Sequence, residues 1–575
     1  MSELDLAPLC SALAKMEPQG RSALLPALHI TQSLYGYLSE DVATEVGRFL
    51  LVPLADIYGV IDFYAMLYRE PVGETIVRVC GDLTCDLAGS QAVLEAVCRH
   101  FDITPGETST DGSFTVERAP CLGLCENAPA VLVAERAIGP ADSAKPAEIC
   151  AGFPLAPQAR PGGDIHLLAA NCGNGHPTSL EDYISAGGYR ALKKALGMRP
   201  EAIIAEIKAA GLVGRGGAAF PTGIKWESAA NAQDEPKYII CNADESEPGT
   251  FKDRVLMQGD PHRTLEGMLI AAYAIGSNRG YLYIWGEYPE AAKILQNAIQ
   301  EALQAGYLGK NILGRGFDFN IEIRLGAGAY ICGEETALFE SIEGKRGFPG
   351  VKPPFPTTFG LLGKPTDNNN VETLANVPLI ISLGAQGYRR YGTDKSPGTK
   401  LFCLSGDVVR PGLYEVPFGV TLRNLLNDLA GGVTGGKIQA LLFGDAAGAF
   451  ATEKHLDLKL TLEDLCAQGL PLGSGVVMVF NDQRDLRHVL KGLAHFFADE
   501  SCGKCYPCQL GTQRQYEILD RLAEGKLLQG DVERLKDVGW TMLDASLCGL
   551  GQTAATAVLS AIELWPQLFT TNGNN

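Results

Sequence analysis

The chain has 575 residues, enough for several domains, and its 46% apolar content supports packed cores and excludes a disordered chain. Its net charge of −19, with no dense Lys/Arg stripe, argues against nucleic-acid binding and against a polybasic membrane anchor. "MSELDLAPLC" lacks the basic and apolar segments of a leader, and no apolar run approaches membrane-spanning length, so the expectation is a cytoplasmic protein without direct membrane insertion.

Residues 1–70 read as a helical region. "LLPALHITQSLYGYL" places apolar residues at helical spacing, and "SEDVATEVGRFL" opens with a candidate Ser cap and an acidic first turn. Over 71–140 the pattern becomes a β-branched run in "ETIVRVCGDLTC", a helix in "AGSQAVLEAVCRHF" and strands around a second cysteine turn, a small α/β domain of thioredoxin size. Residues 141–164, rich in Pro, Ala and Gly, read as a linker. A glycine-rich α/β segment follows over 165–395. A short β-rich module with one helix spans 396–483, and a helical segment broken by a cysteine loop spans 484–575.

Eight of the sixteen cysteines are grouped, and the other eight stand alone as ordinary buried hydrophobes. Cys502, Cys505 and Cys508, at two-residue intervals, with a remote Cys548, suit a 4Fe–4S cluster, whose corners one loop and one distant segment can reach. Zinc is the competing metal, although structural zinc more often takes two ligand pairs. Cys80 and Cys85 with Cys121 and Cys125 form two such pairs, which fit either a 2Fe–2S cluster or a four-cysteine zinc site.

"GLVGRGGAAFPTGIKW" contains Gly214-x-Gly216-x-x-Ala219, but a helical pattern precedes it and Pro221 lies just behind, so it is expected to be a non-Rossmann loop. Its backbone N–H groups, with Arg215 and Lys225, could still meet a phosphate. "NADESEPGTFKDR" (242–254), "RLGAGAYICGEETALFESIEGKRGFPGVKPPFP" (324–356) and "GKPTDNNNVETLANVP" (363–378) are three further polar, glycine-bearing loops. Each alone could be a surface loop; four in one apolar segment point to a nucleotide pocket.

On these motifs residues 165–555 resemble the NADH-oxidising flavoprotein subunit of respiratory complex I and its relatives in NAD-linked hydrogenases and formate dehydrogenases. Through "LLPALHITQSLYGYLSEDV", "YGVIDFY", "CGDLTC" and "CLGLCENAP", residues 22–140 resemble the thioredoxin-like 2Fe–2S subunit that accompanies it. The order is that of diaphorase subunits of NAD-reducing hydrogenases. The resemblance implies a multidomain α/β fold with an N-terminal helical part, a thioredoxin-like 2Fe–2S domain, an FMN-binding domain, a ubiquitin-like β-grasp module and a helical 4Fe–4S domain.

It implies an FMN site of Gly214, Arg215, Gly216, Lys225, Asn242, Asp244, Glu245, Ser246, Gly333, Glu334, Asn369 and Asn370. The NADH site would use Phe220, Glu247, Glu335, Lys352 and Phe355, and the eight grouped cysteines would hold the 2Fe–2S and 4Fe–4S clusters. Ala219, Gly350 and Gln509 depart from the family pattern. The implied activity is a diaphorase that moves hydride between NAD(H) and FMN and single electrons through the clusters to other redox subunits of a multisubunit complex. An electron-bifurcating module is one alternative, and a zinc-bearing assembly subunit is another.

Overall fold

The computed structural model describes residues 4–570. Helices Leu24–Tyr35, Glu40–Leu50 and Leu54–Ile61 form most of the N-terminal region. Ser39 stands at the expected cap position in extended conformation, yet its side chain makes no capping hydrogen bond. This bundle is fastened to the rest of the chain. The Tyr64 hydroxyl donates to Ser341 Oγ at 2.7 Å, and Arg324 donates to Ser22 O at 2.7 Å.

The first sheet holds β1 (Thr75–Cys80), β2 (Phe114–Ala119), β3 (Val131–Val133) and β4 (Arg136–Ile138) in the order β2-β1-β3-β4. β1 and β2 are parallel, with the helix Ser90–Phe101 in the crossover. Val77, Val79, Val93, Val97 and Val116 fill the core between helix and sheet. The Pro-rich stretch that follows is not a free tether. Ile149 enters that core, while Gly162 donates to Leu413 O at 2.7 Å and accepts from Glu415 N at 2.9 Å. A Cβ at Gly162 would lie 2.6 Å from the Tyr414 ring, so only glycine lets the strand come this close.

The central sheet is wholly parallel: β5 (Tyr238–Ala243), β6 (Arg279–Ile284), β7 (Asn320–Leu325) and β8 (Thr366–Asn370), in the order β7-β6-β5-β8. Ile239, Ile240 and Cys241 of β5 are buried, as a strand covered on both faces requires. β8 is the polar run "TDNNN", here a buried strand and not a surface loop. Asn370 ends it and caps the helix Val371–Leu383 by accepting from Glu372 N.

A third sheet contains β9 (Thr399–Gly406), β10 (Gly412–Pro417), β11 (Ile438–Phe443), β12 (Ala449–Ala451) and β13 (Val476–Asn481), in the order β10-β9-β13-β11-β12. It has its own core of Phe402, Leu404, Leu425, Leu441, Phe443 and Val479. The remainder is helical, chiefly Leu486–Asp499, Tyr506–Ala523 and Asp531–Ala545. Among the described residues no helix is long and apolar enough to cross a membrane.

Candidate functional site

In a parallel sheet the carboxyl ends of the strands open a crevice where ligands bind. β5 and β8 end side by side, with Asn242 opposite Asn370. Asn242 Nδ2 donates to Gly333 O at 2.8 Å, and Asp244 N donates to Asn242 Oδ1 at 3.1 Å, so one asparagine holds two of the predicted loops together. Lys225 Nζ donates to Asn368 O at 2.5 Å and pairs with Glu335 Oε2 at 3.2 Å. The glycine loop lies between the helices Pro200–Ala210 and Thr222–Asn231, not after a strand. A Cβ on Gly216 would sit 3.0 Å from Asn370 Cβ. Ala219 holds φ +50°, a left-handed conformation that costs a non-glycine residue about 1 kcal/mol or more.

Several buried polar atoms in this region have no protein partner: Asp244 Oδ2, Ser246 Oγ, Asp367 Oδ1 and Asn368 Oδ1. Buried polar groups are otherwise nearly always paired, so this set suits a polar ligand. Burial first, then Glu287 and Glu500, pushes the Asp244 carboxyl well above its ordinary value. A flavin mononucleotide, with a polar ring edge and a phosphate, fits such a donor and acceptor set.

Not every predicted side chain points into the crevice. The Arg215 guanidinium donates to Tyr388 Oη (3.1 Å) and Pro397 O (3.2 Å) and lies 4.7 Å from the Phe418 ring centroid. Only its neighbouring backbone belongs to the loop, with Arg215 N donating to Thr373 Oγ1 at 2.8 Å. Glu245 accepts from Asp253 N and Arg254 N, both at 2.9 Å, and so caps the helix Lys252–Gly259. Glu247 accepts from Ala447 N at 3.0 Å, and burial raises its carboxyl well above the usual range. Asn369 Nδ2 donates to Asp367 Oδ2 at 2.6 Å, and Asn370 Nδ2 donates to Asp253 Oδ2 at 2.6 Å.

On the open side Phe220 and Phe355 are 55% and 59% exposed, unusual for phenylalanine and suited to stacking on a planar ring. Lys352 Nζ lies 2.8 Å from both Glu334 Oε1 and Glu335 Oε1. Against the upward push of burial, Lys225 and Lys352 hold the Glu335 carboxyl below its usual value. Glu334 also caps the helix Glu335–Ile342 through Thr336 N and Ala337 N.

Two groups escaped the sequence reading. Tyr330 lies beside Glu247, whose charge adds to burial in raising its hydroxyl pKa, donates from its N–H to Glu500 Oε2 at 3.0 Å, and meets Phe496 edge-on at 5.1 Å. It therefore links the crevice to the helix that leads into the cysteine loop; its only sequence signal is its place in "GAYICGEE". Lys252 and Asp253, in the quoted "TFKDR", form a buried pair at 2.8 Å that grips Asn370.

The parallel register that sets Cys80 beside Ala119 brings both N-terminal cysteine turns to the same end of the first sheet. All four thiols are buried, with Cys121 and Cys125 sulfurs 3.7 Å apart. The Cys121 thiol beside it, then burial, pushes the free Cys125 thiol well above its usual range. Arg254 donates to Gly123 O at 2.8 Å and pairs with Glu126, docking this turn on the central domain.

In the C-terminal segment Cys505 is the N-cap of the helix Tyr506–Ala523, Cys508 lies in its first turn, and Cys548 follows Asp531–Ala545. Cys502, Cys505, Cys508 and Cys548 line one small cavity with Ile331, Pro349, Leu547 and Leu550. Two all-thiol sets, one closed in by aliphatic residues, fit iron–sulfur clusters of two or more irons.

Three segments match known families: residues 207–379 the Nuo51 FMN-binding domain, 10–153 the thioredoxin-like [2Fe-2S] ferredoxin, and 488–572 the NADH-ubiquinone oxidoreductase-F iron-sulfur binding region. The NADP-reducing hydrogenase subunit HndC of Solidesulfovibrio fructosivorans is 47% identical over 400 residues, 69% of this chain and 81% of that protein. The alpha subunit of the NAD-reducing hydrogenase HoxS of Cupriavidus necator is 38% identical over 562 residues, 96% of this chain and 92% of that one. A crystal structure of NAD+-reducing [NiFe]-hydrogenase in the air-oxidized state superposes with a TM-score of 0.84 at 34% identity, covering 96% of this chain and 94% of that chain.

Proposed function

The chain belongs to the family of FMN- and iron–sulfur-dependent NADH-oxidising subunits shared by NAD-reducing hydrogenases and complex I, and from that premise we propose how its residues divide the work. It is an NADH:acceptor oxidoreductase module that passes electrons to partner redox subunits. When bound, FMN exchanges hydride with NAD(H) and single electrons with the 2Fe–2S and 4Fe–4S clusters.

The residues at the carboxyl ends of β5 and β8 hold the flavin: Asn242, Asp244, Ser246, Gly333, Asn369 and Asn370, with Lys225 and the backbone of Gly214–Gly216. Arg215, Glu245 and Glu334 act through the frame that positions them. Phe220 and Phe355 sandwich the nucleotide, and Lys352, Glu335 and Glu247 border it. Cys80, Cys85, Cys121 and Cys125 bind the 2Fe–2S cluster; Cys502, Cys505, Cys508 and Cys548 bind the 4Fe–4S cluster. The observation that carries this reading is the set of unpartnered buried polar atoms at the crevice. The flavin released by heat should be FMN, with iron and sulfide for two clusters; FAD, or zinc in place of iron, would overturn the assignment.

The third sheet is read as a ubiquitin-like β-grasp. Counted within the module its strand order is second, first, fifth, third, fourth, and its first and last strands run parallel at the centre, which supports that reading. A cytoplasmic location accords with the absence of a membrane-crossing helix among the described residues. Collinearity with HoxS alpha over nearly the whole chain favours an NAD-reducing hydrogenase as the parent complex.

A preference for NADH over NADPH is expected from how the charges near the nucleotide are paired. Burial favours the neutral form of Glu247, and Glu335 is paired with two lysines, so simple repulsion of a 2′-phosphate is weak. Glu335 instead occupies the cations that a phosphate would use. Glu335→Ala frees Lys225 of its carboxylate, leaves Lys352 with Glu334 alone, and should narrow the gap in kcat/KM between the two nucleotides. An unchanged ratio would remove Glu335 from this role.

A further inference from the structure

The loop that carries Lys352 and Phe355 begins against the 4Fe–4S ligand loop. Phe348 is half-buried, meets Phe63 edge-on at 5.6 Å and 90°, and has Lys504 Nζ and Arg346 Cζ each 5.2 Å from its ring centroid. Lys504 stands between the proposed ligands Cys502 and Cys505. The next residue, Pro349, lines the four-cysteine cavity. Gly350 N then donates to Thr336 Oγ1 at 2.8 Å, and Lys352 reaches Glu334 and Glu335. Within five residues the chain passes from the cluster cavity to the nucleotide carboxylates.

We propose that Phe348, clamped by Lys504, is a positioning residue for the nicotinamide nucleotide: it seats the nucleotide loop on the cluster loop and couples the two sites. This rests on the nucleotide site proposed above. Residues 346–354 form no helix or strand, so contacts with other segments must offset the entropy of ordering them. A loop freed from its clamp must be ordered by the nucleotide itself, which weakens binding without changing the chemistry. Coupling is reciprocal, so bound nucleotide must also shift the midpoint potential of the cluster.

The test uses the full chain with FMN and both clusters. Lys504→Met should raise KM for NADH about threefold and Phe348→Ala about tenfold, with kcat for ferricyanide reduction within about twofold of normal. The double variant should match Phe348→Ala alone, because both substitutions break one contact. Phe348→Trp should restore KM, and the 4Fe–4S EPR signal should persist in every variant. NAD+ should shift the cluster potential in the parent protein and not in Phe348→Ala.

Unchanged KM in both single variants, additive effects in the double, or no potential shift in the parent would overturn the proposal. If Phe348→Ala does not fold, Lys504→Met at its exposed position decides alone, and loss of the cluster in that variant would also contradict the clamp. Lys352→Ala separates the two levels. If it too leaves KM unchanged, the nucleotide site is misplaced; if it raises KM while Phe348→Ala does not, only the clamp is wrong.

Discussion

Cys548→Ser is expected to leave flavin reduction by NADH near its normal rate. It should cut electron delivery to a partner subunit by at least the roughly tenfold that loss of even an outer-sphere contact costs a metal site. The separation follows from where the groups lie. Hydride transfer is assigned to the carboxyl ends of β5 and β8, and none of the four C-terminal thiols contributes there. Cys548 instead closes the aliphatic cavity formed with Cys502, Cys505 and Cys508. The other eight cysteines are not grouped in the sequence, and the motifs account for hydride chemistry and two clusters. The purified chain should therefore reduce ferricyanide or viologens with NADH and show no turnover of hydrogen or formate by itself. Rapid-reaction absorbance for the flavin and partner reduction for the clusters distinguish the two steps. Equal loss of both in Cys548→Ser would remove the division of labour.

Lys400→Met should cost about 3 kcal/mol of stability and lower the FMN content. Lys400 Nζ and Glu372 Oε2 are 2.6 Å apart, and neither side chain is exposed. Burial lowers the Lys400 ammonium to about 8, even with the Glu372 carboxylate opposing that shift. Removing the ammonium leaves Glu372 with the more distant Lys252, at 3.4 Å. Lys252 also contacts Asn370 and pairs with Asp253, which holds the Asn370 amide, so the disturbance reaches the flavin crevice through two contacts. Adding Glu372→Gln should recover part of the loss, because the uncompensated charge is then gone. Urea unfolding and flavin-to-protein ratio read both effects. A Lys400→Met protein with unaltered midpoint and full flavin would show that the pair is ornamental to the site.

The cysteine groups were legible because spacing survives in one dimension: three cysteines lie in one loop and two pairs lie in two turns. The helices were legible through apolar periodicity. β8 was not, because its asparagines and aspartate satisfy one another and their neighbours inside the fold, whereas a polar run in sequence reads as solvated. Direction was equally hidden. Arg215 sits in the glycine loop, yet its guanidinium turns to Tyr388 and Pro397, residues more than 170 positions away. The Lys400–Glu372 pair, 28 residues apart, looks like two surface charges until the module is folded onto the central domain. Tyr330 lacked any spacing pattern, and only its contacts with Glu247 and Glu500 reveal its position. How firmly the Pro-rich linker is held was also hidden. Its composition suits a tether, but backbone hydrogen bonds to the β10 region are available to any extended segment.

The central claim is that one chain joins a hydride-accepting flavin site to two iron–sulfur sites. Anaerobic titration of the purified protein with NADH, followed by visible absorption and EPR, tests it most directly. Flavin absorbance should bleach, and the signals of reduced 2Fe–2S and 4Fe–4S clusters should appear, with the latter lost in Cys548→Ser. A protein that binds NADH without bleaching, or that bleaches with no iron–sulfur signal from either cysteine set, would contradict the account.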